Sequence, residues 1–174
     1  MRSSILLSIS GKDRAGIVRD VSEVLLQADA NIEDSSMAVL RGRFTMMLIV
    51  ALAEGGDITA LKASLAELEQ RTGLSVQSQV LNDDEANHIP DEPDCMVLVS
   101  GADKPGIVFA VTDVMAELGV SVSDVSTRAR ADVYMMVLEA VAGDVRPGLQ
   151  EKLAGVAKTW SVLIEVHPLD IGVM

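Results

Sequence analysis

Residues 10–18 read SGKDRAGIV, and residues 100–108 read SGADKPGIV. The two stretches lie 90 positions apart, and the similarity extends without a gap from residues 10–53 onto residues 100–143. Twelve of those 44 positions are identical, where unrelated chains of ordinary composition would share about three. The chain therefore contains one unit twice, and both copies are expected to have the same fold.

The first repeat shows a succession of strand and helix patterns. Apolar residues alternate with polar ones where a strand is predicted, and they recur at helical spacing after the glycine-rich turn. Asp57 is a predicted N-cap, and Gly73 is a predicted closing residue for the second helix. The predicted elements are a strand at 4–10, a helix beginning near residue 15, strands at about 31–41 and 43–53, a helix from Asp57 to Gly73, and a strand at about 74–81.

The second repeat has the same order. Pro105 is predicted at the start of its first helix, where a missing N–H costs little. Asp144 is predicted to cap its second helix. The last strand is predicted from an alternation of apolar side chains at Trp160, Val162, Ile164 and Val166.

The order strand, helix, strand, strand, helix, strand is that of the split βαβ motif. We therefore predict an α+β protein of two tandem ferredoxin-like βαββαβ domains, with antiparallel sheets and helices on one face. The predicted boundaries are a first domain at 1–81, an acidic linker at 82–93 and a second domain at 94–174. Residues 44–51 are largely apolar on both faces of their strand. A second apolar face needs a cover, either the sister repeat or another subunit, and we expect a homo-oligomer.

Composition narrows the classes of function. The net charge is −12, and no local basic patch is evident in the sequence, so direct nucleic-acid binding is disfavoured. No apolar run approaches the length of a membrane span. The single cysteine, Cys95, and the isolated His88 and His167 form no recognisable metal motif, so neither a metal nor a cofactor is expected. Together these features predict a cytoplasmic protein.

The glycine-rich turn and the Asn-Ile pair beyond the first helix carry a family resemblance. Residues 11–18, followed by Asn31 and Ile32, resemble the opening of ACT domains, roughly D-R-P-G-I/L, a helix and G-x-N-I. Residues 101–108, followed by Gly119, resemble it again. The resemblance covers nearly the whole chain, and two ACT units with nothing appended resemble the glycine cleavage system transcriptional repressor family.

The resemblance implies binding of a small amino acid at a junction between paired ACT units, with glycine and serine as first candidates. Glycines let a backbone approach a ligand closely, and a helix N-terminus favours a carboxylate. The candidate ligand-binding residues of the first repeat are Gly11, Asp13, Arg14, Ala15, Gly16, Ile17, Asn31 and Ile32. A second, weaker candidate site comprises Asp103, Lys104, Gly106, Ile107, Ser121 and Val122.

Two departures from the family pattern bear on these sites. Ala15 replaces the usual proline in the first repeat. In the second repeat, Ser121 replaces the asparagine, and this replacement predicts a weaker second site. The alternative for Gly11, Asp13 and Gly16 is a turn without a ligand, with Asp13 as the helix N-cap. Asn31 is equally interpretable as a residue that opens a strand.

The function implied is amino-acid sensing without catalysis, acting on transcription of amino-acid metabolism through a regulatory protein partner. The alternative is a regulatory subunit that confers amino-acid control on a metabolic enzyme. A third interpretation is an RNA-binding module, since residues 41–44 read RGRF and resemble the start of an RNP1 strand. The aromatic residues that RNP1 needs are missing from residues 45–48. No nucleophile, base and oxyanion donors form a recognisable catalytic set.

Overall fold

The structure is a computed structural model, which describes residues 3–130 and 133–169. The chain divides into two compact units, residues 1–89 and residues 90–174. The division falls inside the acidic segment, at Ile89 and Pro90. Each unit has its own sheet and its own hydrophobic core.

The first unit has the predicted order of elements. They are β1 (Ser3–Lys12), α1 (Ile17–Gln27), β2 (Ala30–Leu40), β3 (Arg43–Leu52), α2 (Ile58–Thr72), β4 (Ser75–Val80) and the short α3 (Asp83–Ala86). The second unit repeats the order with β5 (Cys95–Gly101), α4 (Ile107–Glu117), β6 (Ser121–Arg130), β7 (Val133–Val141), a 3₁₀ turn (Gly143–Val145), α5 (Arg146–Trp160) and β8 (Leu163–Pro168).

Both sheets are four-stranded and antiparallel, with strand orders β2-β3-β1-β4 and β6-β7-β5-β8. In the first unit, alternate residues of β1 (Ile5, Leu7 and Ile9) are buried together with apolar residues of α1 and α2. Because both helices contribute to this one core, they lie on the same face of the sheet. The βαββαβ prediction is confirmed for both halves.

The ends of α2 match the predicted chemistry. The Asp57 side chain accepts hydrogen bonds from the backbone N–H of Thr59 at 2.8 Å and of Ala60 at 3.0 Å. Gly73 ends the helix with φ of 69°, which is the left-handed region that glycine adopts without strain. Both predictions about this helix are confirmed.

The equivalent cap in the second unit was predicted wrongly. Asp144 lies in the 3₁₀ turn, and α5 begins after Val145 with no side-chain cap. The carboxylate that binds backbone N–H groups here is Asp94, which accepts from Ala142 at 2.8 Å and Gly143 at 2.7 Å. These contacts and the cationic Arg146 lower the pKa of Asp94 below its usual value, with the Ala142 hydrogen bond the largest cause.

Two further boundaries in the second unit differ from the predictions. Trp160 is the last residue of α5 and not the first of a strand, because the helical hydrogen bonds continue until Ser161 adopts φ of 53°. The alternation at Trp160 therefore reflects packing of a helix end against the core. Pro105 precedes the N-cap, Gly106, and so lies outside the helix that it was predicted to start.

The face of each sheet opposite the helices retains exposed apolar side chains. Met47 on β3 and Met135 on β7 are 51% and 47% exposed. On the helix-covered face, by contrast, Met46 and Met136 are buried. Cys95 is also fully buried, and burial is the main reason that the pKa of its thiol is raised.

Candidate functional site

The loop between β1 and α1 takes its shape from Gly16. This residue is the N-cap of α1 and has φ of 88°, which is unfavourable for residues with a side chain. Its carbonyl oxygen accepts the backbone N–H of Asp20 at 2.9 Å. The helix therefore begins at Ile17, not near residue 15, and Asp13 is not its N-cap.

Gly11, the first glycine of the motif, lies in a tightly packed position. It is buried, and a Cβ there would lie 2.6 Å from Cδ2 of Leu74. At the equivalent Gly101, a Cβ would lie 2.7 Å from Cγ1 of Val162. Close packing therefore explains the glycine at these two positions.

A cavity of about 140 Å³ opens beside the first loop. It is formed by the loop, the first turn of α1 and two residues of the neighbouring strands. Its lining residues are Asp13, Arg14, Gly16, Ile17, Val18, Arg19, Met37 and Phe44. Four of the eight candidate residues of the first repeat therefore meet here. The candidate Ala15 lies exposed in the same loop, and Gly11 does not line the cavity.

The cavity also contains residues that the sequence patterns did not indicate. Arg19 follows two apolar positions at the start of α1, so its place could be inferred once the true start of that helix is known. Met37 and Phe44 lie near the turn that joins β2 to β3, where Met37 pairs with Met46 and Phe44 pairs with Val39. That register depends on the hairpin turn, so the alternation within one strand does not give it.

Asp20 organises the charges at the mouth of the cavity. Its Oδ2 lies 2.6 Å from Nη2 of Arg14, and its Oδ1 lies 3.1 Å from Nη2 of Arg19. Arg14 also donates through Nη1 to the carbonyl oxygen of Ala15 at 3.1 Å. The hydrogen bond from Arg14 is the largest cause of the lowered pKa of Asp20, and it outweighs the opposing effect of desolvation.

Asn31 and Ile32 lie elsewhere in the same unit. Gly11 pairs with Phe44 at one end of the sheet, whereas Asn31 pairs with Ala51 at the other end. Seven residues along β3 separate these two rungs, which is roughly 24 Å in an antiparallel sheet. The structure therefore does not bring Asn31 and the loop together within the unit, and one small ligand can contact both only across a junction of two ACT units.

The second loop is arranged differently, although Gly106 has φ of 97°, like its counterpart. Nζ of Lys104 donates to the backbone carbonyl of Trp160 at 2.8 Å. A Cβ at Gly106 would lie 2.9 Å from the Trp160 ring, so that ring covers the start of α4. The buried carboxylate of the first repeat has no equivalent, because Ala110 occupies the position of Asp20.

The remaining candidates of the second repeat share the geometry of the first. Asp103 is exposed in the loop, and Ile107 is buried at the start of α4. Ser121 pairs with Val141, while Gly101 pairs with Tyr134 at the opposite end of the sheet. Ser121 and its neighbour Val122 are therefore as far from their loop as Asn31 and Ile32 are from theirs.

A wider groove of about 460 Å³ lies between α1 and α2. It is lined by residues of the two helices, among them Glu23, Gln27, Glu67 and Arg71. Interior turns of a helix have their backbone N–H groups already bonded. The smaller cavity at the loop includes the first turn of a helix, where such groups are free, and it is the better candidate for an anionic group.

Several cations that are distant in the sequence lie at one end of the first unit's sheet. The expectation that the chain has no local basic patch is therefore wrong. Lys12 pairs with Arg43 between β1 and β3, and the backbone N–H of Asp13 donates to the carbonyl of Gly42 at 2.9 Å. The loop and the β2–β3 turn therefore share one end of the sheet. We call the five exposed cations there the basic end: Lys12, Arg14, Arg19, Arg41 and Arg43.

Other expectations concern RNA, metals and membranes. Phe44, which suggested an RNP1 strand, is 3% exposed and lies in the core, so it cannot stack on a base. Within residues 3–130 and 133–169, no group of three or more His, Cys, Asp or Glu side chains is placed to hold a metal ion. No helix in the same ranges is long and apolar enough to cross a membrane.

Comparison with known proteins gives the same domain type in both halves. Two family models, both described as ACT domain, match the chain, one over residues 3–79 and the other over residues 96–158. A UPF0237 protein from Methanopyrus kandleri is 38% identical over 72 residues, which are 41% of this chain and 80% of that protein. One from Streptococcus pneumoniae is 34% identical over 74 residues, covering 42% and 84%.

Two solved structures resemble the chain over nearly its whole length. A protein of unknown function from Galdieria sulphuraria has a TM-score of 0.78 at 26% identity, covering 97% of this chain and 99% of that one. A candidate glycine cleavage system transcriptional repressor has a TM-score of 0.77 at 21% identity, covering 97% and 98%. At that identity the second likeness concerns the fold alone.

Proposed function

The chain belongs to the ACT-domain family, and on that premise we propose that it is a non-enzymatic regulatory protein that senses a small amino acid. The ligand binds at the loop of the first unit, and glycine and serine are the first candidates. The observation that carries this proposal is the cavity beside Gly16, where a helix start and side chains of both charges meet.

The cavity offers partners for both charged groups of an amino acid. The first backbone N–H groups of α1 have no partner within the helix, and Arg14 and Arg19 stand beside them. These donors suit the ligand's carboxylate. The carboxylate of Asp13 lines the same cavity and suits the α-ammonium group, which can only donate.

The rest of the lining favours a ligand with a short side chain. Val18, Met37 and Phe44 supply apolar surface, and Phe44 is rigidly held in the core. The cavity of about 140 Å³ suits a small ligand. The family resemblance places glycine and serine before larger amino acids.

We propose that the second loop binds the ligand more weakly than the first loop or does not bind it. Trp160 covers the start of α4, and the Lys104 amino group is bonded to the Trp160 carbonyl. A ligand there would have to displace both. We therefore expect the first unit to account for most of the binding by one chain.

A protein partner recognises the ligand-bound form of the protein. We propose that this partner regulates transcription of amino-acid metabolism, with glycine cleavage as the first system to examine. Support for this step comes from the family resemblance, not from the site itself. We propose the protein as a cytoplasmic homo-oligomer that does not bind nucleic acid directly, because its net charge of −12 opposes a phosphate backbone despite the basic end.

The experiment that tests ligand binding is a thermal-shift screen of the full chain against the common amino acids. A ligand present at 100 times its Kd stabilises the folded state by about 2.7 kcal/mol. For a chain of this size we expect a rise in Tm of about 5–10 °C with glycine or serine. If no α-amino acid shifts Tm at millimolar concentration, amino-acid sensing is excluded.

A further inference from the structure

The basic end holds five cations against the carboxylates of Asp13 and Asp20, so the first unit neutralises only part of its positive charge. Arg14 and Arg19 share the carboxylate of Asp20. None of the ion pairs within residues 3–130 and 133–169 involves Lys12, Arg41 or Arg43. Lys12 and Arg43 are moreover direct cross-strand partners, and like charges in that position repel each other. An anionic group bound there would remove this repulsion.

The second repeat does not keep these charges. Ala102, Phe109, Ala131 and Val133 occupy the positions equivalent to Lys12, Arg19, Arg41 and Arg43. The same fold therefore forms without a basic end. The cations of the first unit are not a requirement of the β1–α1 turn or of the β2–β3 hairpin.

The chain also contains an anionic segment of similar charge. Residues 82–94 hold six acidic residues and no lysine or arginine. Asp94 is already bonded to two backbone N–H groups of the second unit. The other five are exposed: Asp83, Asp84, Glu85, Asp91 and Glu92.

Part of this acidic segment is ordered as α3. The Asn82 side chain accepts a hydrogen bond from the backbone N–H of Glu85 at 2.9 Å. The Glu85 side chain in turn accepts one from the backbone N–H of Asn82 at 2.9 Å. This reciprocal pair holds the turn and leaves the side chains of Asp83 and Asp84 exposed. This short helix therefore presents a preformed anionic surface, which reduces the entropy lost on docking.

The first unit cannot pair its own acidic helix with its basic end. The backbone N–H of Leu81 donates to the carbonyl of Ser4, so α3 starts beside the first residues of β1. The basic end lies at Lys12, eight residues further along that strand, or roughly 27 Å away. The three residues from Leu81 to Asp84 span at most roughly 11 Å.

We propose that the acidic segment of one copy of this chain docks on the basic end of a second copy. Because each copy carries both surfaces, two copies can exchange the contact reciprocally and close a two-fold dimer. Each ion pair is then formed twice, which offsets the modest strength of a single exposed pair. Local complementarity of this kind can outweigh the repulsion between two chains of net charge −12.

The experiment measures dimer dissociation by sedimentation velocity at low and at high ionic strength. We expect the wild-type chain to dimerise at low salt and its dissociation constant to rise steeply by about 0.5 M salt, where charges on the surface are screened. A wild-type chain that is monomeric at low salt contradicts the proposal. A dimer whose dissociation constant does not respond to salt contradicts it as well.

Charge reversal identifies the two surfaces. One triple variant changes the basic end: Lys12→Glu, Arg41→Asp and Arg43→Glu. A second changes the acidic segment: Asp84→Lys, Asp91→Lys and Glu92→Lys. Each is expected to raise the dissociation constant by roughly ten-fold or more at low salt, and the chain that combines all six changes is expected to dimerise again.

The matched control reverses three exposed cations outside the basic end, Lys62→Glu, Arg128→Glu and Lys158→Glu, which changes the net charge by the same amount. It should leave the dissociation constant within about two-fold of a wild type measured at equal salt. If only the basic-end variant weakens the dimer, another anion occupies that surface and the proposal fails. The proposal fails equally if the variant with all six changes stays monomeric while its circular dichroism spectrum matches that of the wild type.

Discussion

At the residue scale, Asp20 links the fold of the first unit to its proposed ligand site. It is 8% exposed, and guanidinium groups of Arg14 and Arg19 lie at its two carboxylate oxygens. A buried carboxylate is stable only when it is paired in this way. The position of both arginines at the cavity therefore depends on the ionised form of one side chain.

The pH dependence of this cluster is a first prediction. Because the folded-state pKa of Asp20 is lowered from 3.8, its contribution to stability is present above the unfolded-state pKa and is lost as pH falls through the folded-state value. Asp20→Asn should therefore lower Tm near neutral pH, and the difference from wild type should shrink as pH falls below 3.8. Thermal unfolding monitored by circular dichroism measures the Tm of the two proteins across this pH range.

The control for this prediction is Asp113→Asn, which removes an exposed carboxylate from α4. It should leave Tm nearly unchanged throughout the same pH range. A constant difference between Asp20→Asn and wild type at every pH would show that the ionised carboxylate is not what stabilises the loop.

The paired glycines give a second prediction at this scale. An added Cβ meets the flexible end of Leu74 at Gly11, but it meets the branched and less mobile Val162 at Gly101. Gly11→Ala and Gly101→Ala should each lower the free energy of unfolding by about 1–3 kcal/mol, with the larger loss at Gly101. Denaturant unfolding curves measure the two values.

Gly155→Ala supplies the contrasting control. Gly155 lies in α5, and nothing is within 4 Å of a Cβ built there. Alanine should stabilise that helix by about 0.5–1 kcal/mol. Equal and small effects at all three glycines would contradict the role of close packing at Gly11 and Gly101.

At the element scale, the repeat and the hydrophobic periods were enough to predict each strand and the four long helices in the part of the chain that the structure describes. The core-facing residues of β1 and the two ends of α2 were also predicted correctly. Predictions failed at ends that depend on distant partners. Asp144 has the residue type of a cap, but Asp94, 48 residues before Ala142, binds the N–H groups there.

The candidate site could be predicted only in part, for a related reason. Residues next to one another in the loop were identified from the glycine-rich motif. Asp20 was missed, since a carboxylate in the first turn of a helix is most often an exposed partner of the helix dipole. Met37 and the basic end were missed because the register of the β2–β3 hairpin is not visible in either strand alone.

Asn31 provides the prediction at this scale. It lies at the far end of β2 from the loop, so a ligand that contacts both must lie at a junction of two ACT units, as the family resemblance implies. Asn31→Ala should then weaken binding by about 1.5–3 kcal/mol, or about 10–150-fold in Kd, through loss of a hydrogen bond to a charged ligand. Isothermal titration calorimetry measures the effect.

Ser121→Ala is the matched control, because Ser121 occupies the equivalent place in the second repeat. It should change Kd much less than Asn31→Ala does. If Asn31→Ala binds normally, Asn31 only opens β2 and the loop alone holds the ligand. If Ser121→Ala abolishes binding while Asn31→Ala does not, the second repeat is the functional half.

At the scale of the whole molecule, duplication has produced two units with one fold and different chemistry. The first repeat has an accessible cavity at its loop together with the basic end. The second covers the equivalent loop with Trp160 and lacks most of those charges. A net charge of −12 conceals this difference, so composition alone led to the expectation that no basic patch exists.

The most direct test of amino-acid sensing by the first repeat compares Asp13→Ala with Asp103→Ala. Both aspartates are exposed at equivalent loop positions, and neither caps the following helix, so the two variants should fold alike. Calorimetric titration with glycine and with serine should give a Kd about 10–150-fold higher for Asp13→Ala, and a Kd near the wild-type value for Asp103→Ala. Equal affinity in all three proteins, or a loss confined to Asp103→Ala, would contradict the account.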